Sequence, residues 1–350
     1  MQQFDLEALR RIVFDGFQKL GLLYRNDAFG YDVFSSAEDK DLCRRLLADG
    51  TLGRVLALPD FSEFQTAAAV NIRKLVLAAR NFDRHWSQRA IAASVAFSLS
   101  GCILDSMLDG GTEELKRLAL SLLDWECGCG SFFTADSAVF FGRSASGIEV
   151  GNRNKTVSGA ASESFNAIET LLAETGSFLQ EIRASDVGAY QSLIADLQHL
   201  AQVECRASVA MNVPSEFGCA CDKSTKFVLT SFRIAASGQL EPEEDRQCQI
   251  IGEVMRLVDD LCDLECDLRM KHLNSIICQA GDSNSLVDHV QDAFLLLDEN
   301  LSCLKLVLKT EFFDYLLREL RLWTLGNEQI RSKVLRRDVG KYNADGWLQS

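Results

Sequence analysis

The sequence predicts an all-α protein, and three observations carry that expectation. Only three prolines, Pro59, Pro214 and Pro242, occur in 350 residues, which leaves long stretches free of a helix breaker. Apolar residues recur at helical spacing from end to end. No Gly/Ser-rich or Pro-rich linker and no fixed-period repeat interrupts them, so the chain reads as one domain over residues 1–350.

Phe4, Leu6, Leu9, Ile12, Val13 and Phe17 mark a first amphipathic helix, and further helical patterns run near 37–48, 61–80, 86–109 and 112–124. Residues 125–158, WECGCGSFFTADSAVFFGRSASGIEVGNRNKTVS, are rich in Gly, Ser and aromatics without a steady period. They read as a long loop, a short hairpin or a lid insertion. Helical pattern resumes at 160–184 and 186–212, pauses over MNVPSEFGCACD, and continues at 223–238. Pro242 with Glu243 and Glu244 then starts a long helix. Patterns near 283–307, 310–323 and 326–337 complete the chain.

Composition narrows the function classes. A net charge of −14 argues against nucleic acid and against an anionic membrane surface, since both are held by clustered Lys and Arg. An acidic protein that binds an anionic ligand needs bridging cations. The opening MQQFDLEALRRIVFDGF has acids in its first turns and no apolar h-region, so no secretory signal is expected. The longest apolar run, Ala90 to Leu104, is short of a membrane span and carries serines. A soluble, cytoplasmic, reduced protein is expected. Twelve cysteines are many, yet several sit in helical patterns as small apolar residues. Cys127/Cys129 and Cys219/Cys221 are spaced C-x-C, tighter than structural zinc sites use. The four histidines form no H-x-x-x-H or E-x-x-H pattern.

Two acidic stretches concentrate the chemistry. LVDDLCDLECDLRMKH, residues 257–272, places Asp259, Asp260, Asp263, Glu265 and Asp267 on an otherwise apolar helix. Asp259, Asp263 and Asp267, at i, i+4 and i+8, project the same way and repel unless a cation neutralises them. Upstream, SGCILDSMLDGG puts Asp105 and Asp109 at i, i+4, where the run Ala90 to Leu104 ends. Two such helices facing each other would form an oxygen-rich mouth over an apolar cavity. Mg²⁺ selects carboxylate oxygens and is commonly completed by substrate phosphates. The implied ligand is therefore apolar and carries a phosphate or diphosphate.

These residues resemble a known family. DDLCD at 259–263, followed by Asp267 and Lys271, resembles the second aspartate-rich motif of the trans-prenyltransferase-like class I isoprenoid synthases. KSTKFVLTSFRIAASG at 223–238 is similar to that family's lysine helix, with Lys223 and Ser224 at its K-[TS] pair and Ala235 and Ala236 at its small pair. AQVE at 201–204 is weakly similar to its G-Q segment, and DSMLD at 105–109 resembles the first motif with serine at the second position. The resemblance covers residues 90–275, about half the chain. It implies an all-α isoprenoid-synthase bundle around a central apolar cavity, with three Mg²⁺ gripping the diphosphate of a prenyl substrate. Asp105, Asp109, Asp259, Asp260, Asp263 and Asp267 would be metal ligands, and the first, second, third and fifth of these carry the catalysis. Lys223 and Lys271 would contact diphosphate, joined by Arg256 and by Arg337, Lys341 and Tyr342 of the C-terminal RRDVGKY. Phe97, Ser100, Gly101, Phe227 and Thr230 would line the substrate pocket, whose depth suggests a C15 to C20 chain. Homodimers are usual in the family.

Departures from the family pattern bear on the activity. Elongating synthases carry R-R-G after the first motif and G-K-R before it, to bind isopentenyl diphosphate; here GGTEELKRL follows, and NFDRHWSQRAIAAS precedes. That favours a terpene synthase, which ionises one prenyl diphosphate and rearranges it. An elongating prenyl diphosphate synthase, a head-to-head condensing synthase of squalene or phytoene type and a silent partner subunit stay open.

Overall fold

A computed structural model of the chain describes residues 6–23, 37–48, 50–58, 64–109, 159–208, 210–281 and 285–326, without the side chains at 37–39, 48, 66, 106–109, 159–165 and 325–326. Among the described residues there are twelve α-helices, one short 3₁₀ turn and no strand. They are α1 (Leu6–Lys19), α2 (Ala37–Ala48), α3 (Gly50–Leu56), α4 (Phe64–Asn81), α5 (Gln88–Asp109), α6 (Gly159–Ser185), α7 (Val187–Ala207), α8 (Phe217–Ala235), α9 (Pro242–Met270), α10 (Ser275–Ala280), α11 (Leu286–Val307) and α12 (Thr310–Gly326). None of them is long and apolar enough to cross a membrane.

The helices belong to two compact units, each assembled from separate pieces of chain. The first takes residues 1–35, 210–225 and 249–350; the second takes 36–209 and 226–248. In the second unit α5 packs along α6 and α4, and α6 packs on α7 and α3. Helix α5 is apolar on all sides, which suits a buried helix; Ala90, Ala93, Val95, Ala96 and Leu99 have almost no exposure. Its serines are satisfied rather than solvated. Ser94 Oγ donates to Ser231 O at 2.7 Å, Ser98 Oγ to Ser94 O at 3.0 Å and Ser100 Oγ to Phe97 O at 2.7 Å, so burying them carries no orphan-hydroxyl penalty. Asp186 caps α7 by accepting from Ala189 N at 2.9 Å.

In the first unit α1 lies on α11, where Phe17 and Phe294 meet edge to face at 5.1 Å. Gly16 makes room for that contact, since a Cβ there would sit 2.5 Å from the Phe294 ring. Leu257, Val258, Leu261 and Leu264 of α9 are buried, as are Leu286, Val290 and Leu297 of α11 and Phe312 and Leu316 of α12.

Candidate functional site

Helix α9 begins with Pro242 and three acids, Glu243, Glu244 and Asp245, the composition favoured at the positive end of a helix dipole. Its last three turns carry the acidic cluster, and the structure sorts those five carboxylates by direction. Asp259, Asp263 and Asp267 share one half-exposed stripe. At 3.6 residues per turn, Asp260 lies roughly 100° round the helix from Asp259 and Glu265 roughly 240°. Both turn inward and meet arginines.

Asp260 Oδ2 pairs with Arg256 Nη1 at 3.1 Å and accepts a hydrogen bond from Ser275 Oγ. Arg256 also donates to Ser275 Oγ, so the three form a closed buried triangle. Burial pushes the Asp260 carboxyl above its ordinary range, against the pull of Arg256 and the Ser275 hydroxyl. Glu265, 4% exposed, takes Nε and Nη2 of Arg10 and an ion pair from Arg269. Those hydrogen bonds, with Arg10 first, hold its carboxyl below the usual range despite burial. The expected ligand Asp260 and the expected anion contact Arg256 are thus engaged with each other inside the first unit, and either role requires that triangle to open.

The turn after α9 is clamped to it. Lys271 is exposed and adopts the left-handed conformation with φ 62°. Asn274, with no exposure, donates from Nδ2 to Asp260 O at 2.8 Å and to Asp267 Oδ2 at 2.9 Å. Its Oδ1 accepts from Ile276 N at 3.0 Å and caps α10. Asn212 completes the clamp, accepting from Asn274 N at 2.9 Å and donating to His272 O at 2.6 Å. His272 Nδ1 stands 3.7 Å from Asp267 Oδ1.

The lysine helix approaches α9 closely. A Cβ on Gly252 would lie 2.8 Å from Thr225 O, so only glycine permits this backbone contact. Burial raises the Cys221 thiol, which also feels Arg256 and Asp260. With Thr225 against Gly252 and Cys221 near Arg256, α8 and α9 run antiparallel here. Half-buried Lys223 falls between those contacts, within about two turns of Asp259.

In the second unit, Asp105 is half-buried on α5, and Asp109 lies in the same helix with its side chain outside the described residues. One turn before Asp105, burial pushes the Cys102 thiol up to about 11, reinforced by Asp105 and opposed by Lys74. Lys74 and its neighbour Arg73 are buried on α4 at 5% and 3% exposure. Sequence reasoning missed this basic pair; the signal was two adjacent cations inside the apolar stretch NIRKLVLAA. Of the expected pocket residues, Phe97 and Phe227 stack at 5.0 Å. The space left by Gly101 is filled by the Phe227 ring, 2.3 Å from where a Cβ would stand. Ser100 and Thr230 are buried. Arg337, Lys341 and Tyr342, and the stretch 125–158, lie outside the described residues.

Among the described residues no three His, Cys, Asp or Glu side chains converge as a metal-holding group. The stripe nonetheless fits Mg²⁺ in kind: it offers oxygen donors only, on an accessible face. Such ions commonly rest on one or two carboxylates and draw their remaining oxygens from water and substrate phosphates. Compared with known proteins, the chain matches no family model and no curated sequence.

Proposed function

We propose that this chain is a Mg²⁺-dependent class I terpene synthase that ionises a linear prenyl diphosphate, C15 to C20 favoured, and releases diphosphate and a terpene. The observation that carries this reading is the sorting of carboxylates on α9. Asp260 and Glu265 turn inward and pair with arginines, whereas Asp259, Asp263 and Asp267 share one half-exposed face of the helix. Asp259 and Asp263 would hold ions on α9, with Asp267 at the end of the stripe, and Asp105 and Asp109 would do so on α5. Bound Mg²⁺ supplies electrostatic stabilisation of the charge that develops on the departing diphosphate. Lys223 and Lys271 add positive charge to the same leaving group. Phe97 and Phe227, packed on each other at 5.0 Å, would have to part to bring aromatic surface to the prenyl chain and keep water from the allylic cation, which ends by losing a proton or capturing water.

One observation favours chain elongation as a second reading. Arg73 and Lys74 are buried on α4, Lys74 close enough to Cys102 of the turn before Asp105 to act on its thiol, and cations there could serve a second diphosphate. A single assay separates the two. Purified protein is incubated with Mg²⁺ and each prenyl diphosphate from C10 to C25, with and without isopentenyl diphosphate, and products are read by mass spectrometry. A hydrocarbon or terpene alcohol without the co-substrate supports the synthase, and longer diphosphates formed only with it establish elongation. No product from any substrate, or an Asp105→Ala variant as active as the parent, sinks both.

A further inference from the structure

We infer that Asn274 is a positioning residue for the diphosphate end of the α9 stripe, an inference that rests on the metal-diphosphate reading above. Its side chain is wholly buried and every polar atom of it is used. One half, Oδ1, caps α10. The other half, Nδ2, is divided between the main chain and a member of the stripe: it donates to Asp260 O at 2.8 Å and to Asp267 Oδ2 at 2.9 Å. A helix cap needs only the first half. The second half fixes the rotation of the Asp267 carboxylate at the point where α9 stops.

The same residue governs the turn that follows. Its backbone N–H donates to Asn212 Oδ1, and Asn212 Nδ2 donates to His272 O. The segment from Lys271 to Asn274 is thereby held at both ends, with Lys271 in its left-handed conformation at φ 62° and exposed. Asp267, which would help to neutralise the cation, is therefore set by a side chain that touches neither ion nor diphosphate, while the turn that carries Lys271, which would meet the anion, is held through the backbone of the same residue and Asn212. Outer residues that orient carboxylate ligands commonly change metal affinity by ten- to a hundredfold.

The test measures Mg²⁺-dependent binding of inorganic diphosphate to the full chain by isothermal titration calorimetry. The variants are Asn274→Ser, Asp267→Ala and the double substitution. Serine can still cap α10 through its hydroxyl but cannot reach Asp267 and Asp260 O with two donors, so the fold is kept while the positioning is lost. Asn274→Ser should weaken binding about tenfold, and the double variant should bind no more weakly than Asp267→Ala alone. A lowered melting temperature with unchanged diphosphate affinity in Asn274→Ser would mean a purely structural residue and overturn the inference. Losses that multiply in the double variant overturn it too, because Asn274 would then act independently of Asp267. If the parent chain itself shows no Mg²⁺-dependent diphosphate binding, the metal-diphosphate reading fails, and this inference with it.

Discussion

Asp260 and Asp263 stand three residues apart on α9, the first buried against Arg256 and Ser275 and the second half-exposed on the acidic stripe. Substitution should separate them cleanly. Asp260→Ala strands the Arg256 guanidinium in the interior and should cost about 3–5 kcal/mol. Asp263→Ala removes like-charge repulsion on a helix face, so it should cost far less stability than Asp260→Ala, and on the proposed metal-diphosphate reading it should abolish activity. Urea unfolding of both variants beside product assays checks the pair; equal stability losses would remove the sorting of carboxylates. Glu265 gives a pH signature. Its carboxyl lies below the ordinary value in the fold, so its contribution is complete above the usual glutamate range and is lost as pH falls through the lower folded value. Arg10→Ala should cost about 1–2 kcal/mol near neutral pH, part of the pair being screened by solvent, and the cost should shrink under acid. A pH-independent cost would contradict that pairing. The acids themselves were legible in the sequence, and their partners were not. Arg10 lies 255 residues from Glu265, a distance that no local pattern spans.

Among the elements, periodicity located most helices to within a few residues, and its misses are instructive. The pause expected over MNVPSEFGCACD holds only a 3₁₀ turn at Pro214–Glu216, after which α8 starts at Phe217 rather than near 223. Gly218 and two cysteines weaken the pattern there, yet the contact of Thr225 with Gly252 holds this part of α8 to α9. Helices α3 and α10, of seven and six residues, are too short to show a period. Asn274, which caps α10, was not legible at all, because nothing in the local sequence marks it as a clamp on α9. The α8–α9 contact is the element whose loss is easiest to foresee. Gly252→Ala should destabilise by about 1–3 kcal/mol, because the new methyl would meet backbone at 2.8 and 3.2 Å, which cannot rotate away. Alanine's better helix propensity, about 1 kcal/mol, works against that loss and makes its sign a real test. Chemical denaturation showing a stabilised variant would mean that the helices are not in backbone contact.

At the scale of the whole molecule, low proline content and helical period announced the all-α class, and the twelve helices agree with it. The grouping of helices into two units was not visible, because each unit joins segments that are not consecutive, the first of them resuming at 210 after it leaves off at 35, and periodicity is a local signal. The cysteines follow the helical pattern only in part. None of the ten described ones forms a disulfide; Cys43, Cys248, Cys262 and Cys278 are buried as small apolar residues would be, whereas Cys266 is exposed and Cys102 and Cys303 are half-buried. Burial pushes the Cys43 and Cys278 thiols up to about 11, and those of Cys248 and Cys262 well above the usual range. Since the thiolate is the reactive form, iodoacetamide at neutral pH should label Cys266 in the native protein and these four only after unfolding. Peptide mapping that finds the four modified natively would show the interior to be looser than described.

Lys271 has a further consequence. A lysine held at φ 62° sits where glycine is the natural occupant, and the misfit costs about 1–2 kcal/mol. Selection for sturdiness alone would have replaced it. Lys271→Gly should therefore raise the melting temperature and, on the proposed metal-diphosphate reading, weaken Mg²⁺-dependent diphosphate binding in the same molecule, so that the better-built protein grips its ligand less well. A glycine variant that gains no stability, or that grips diphosphate as well as its parent, would show that this position was never under such a conflict.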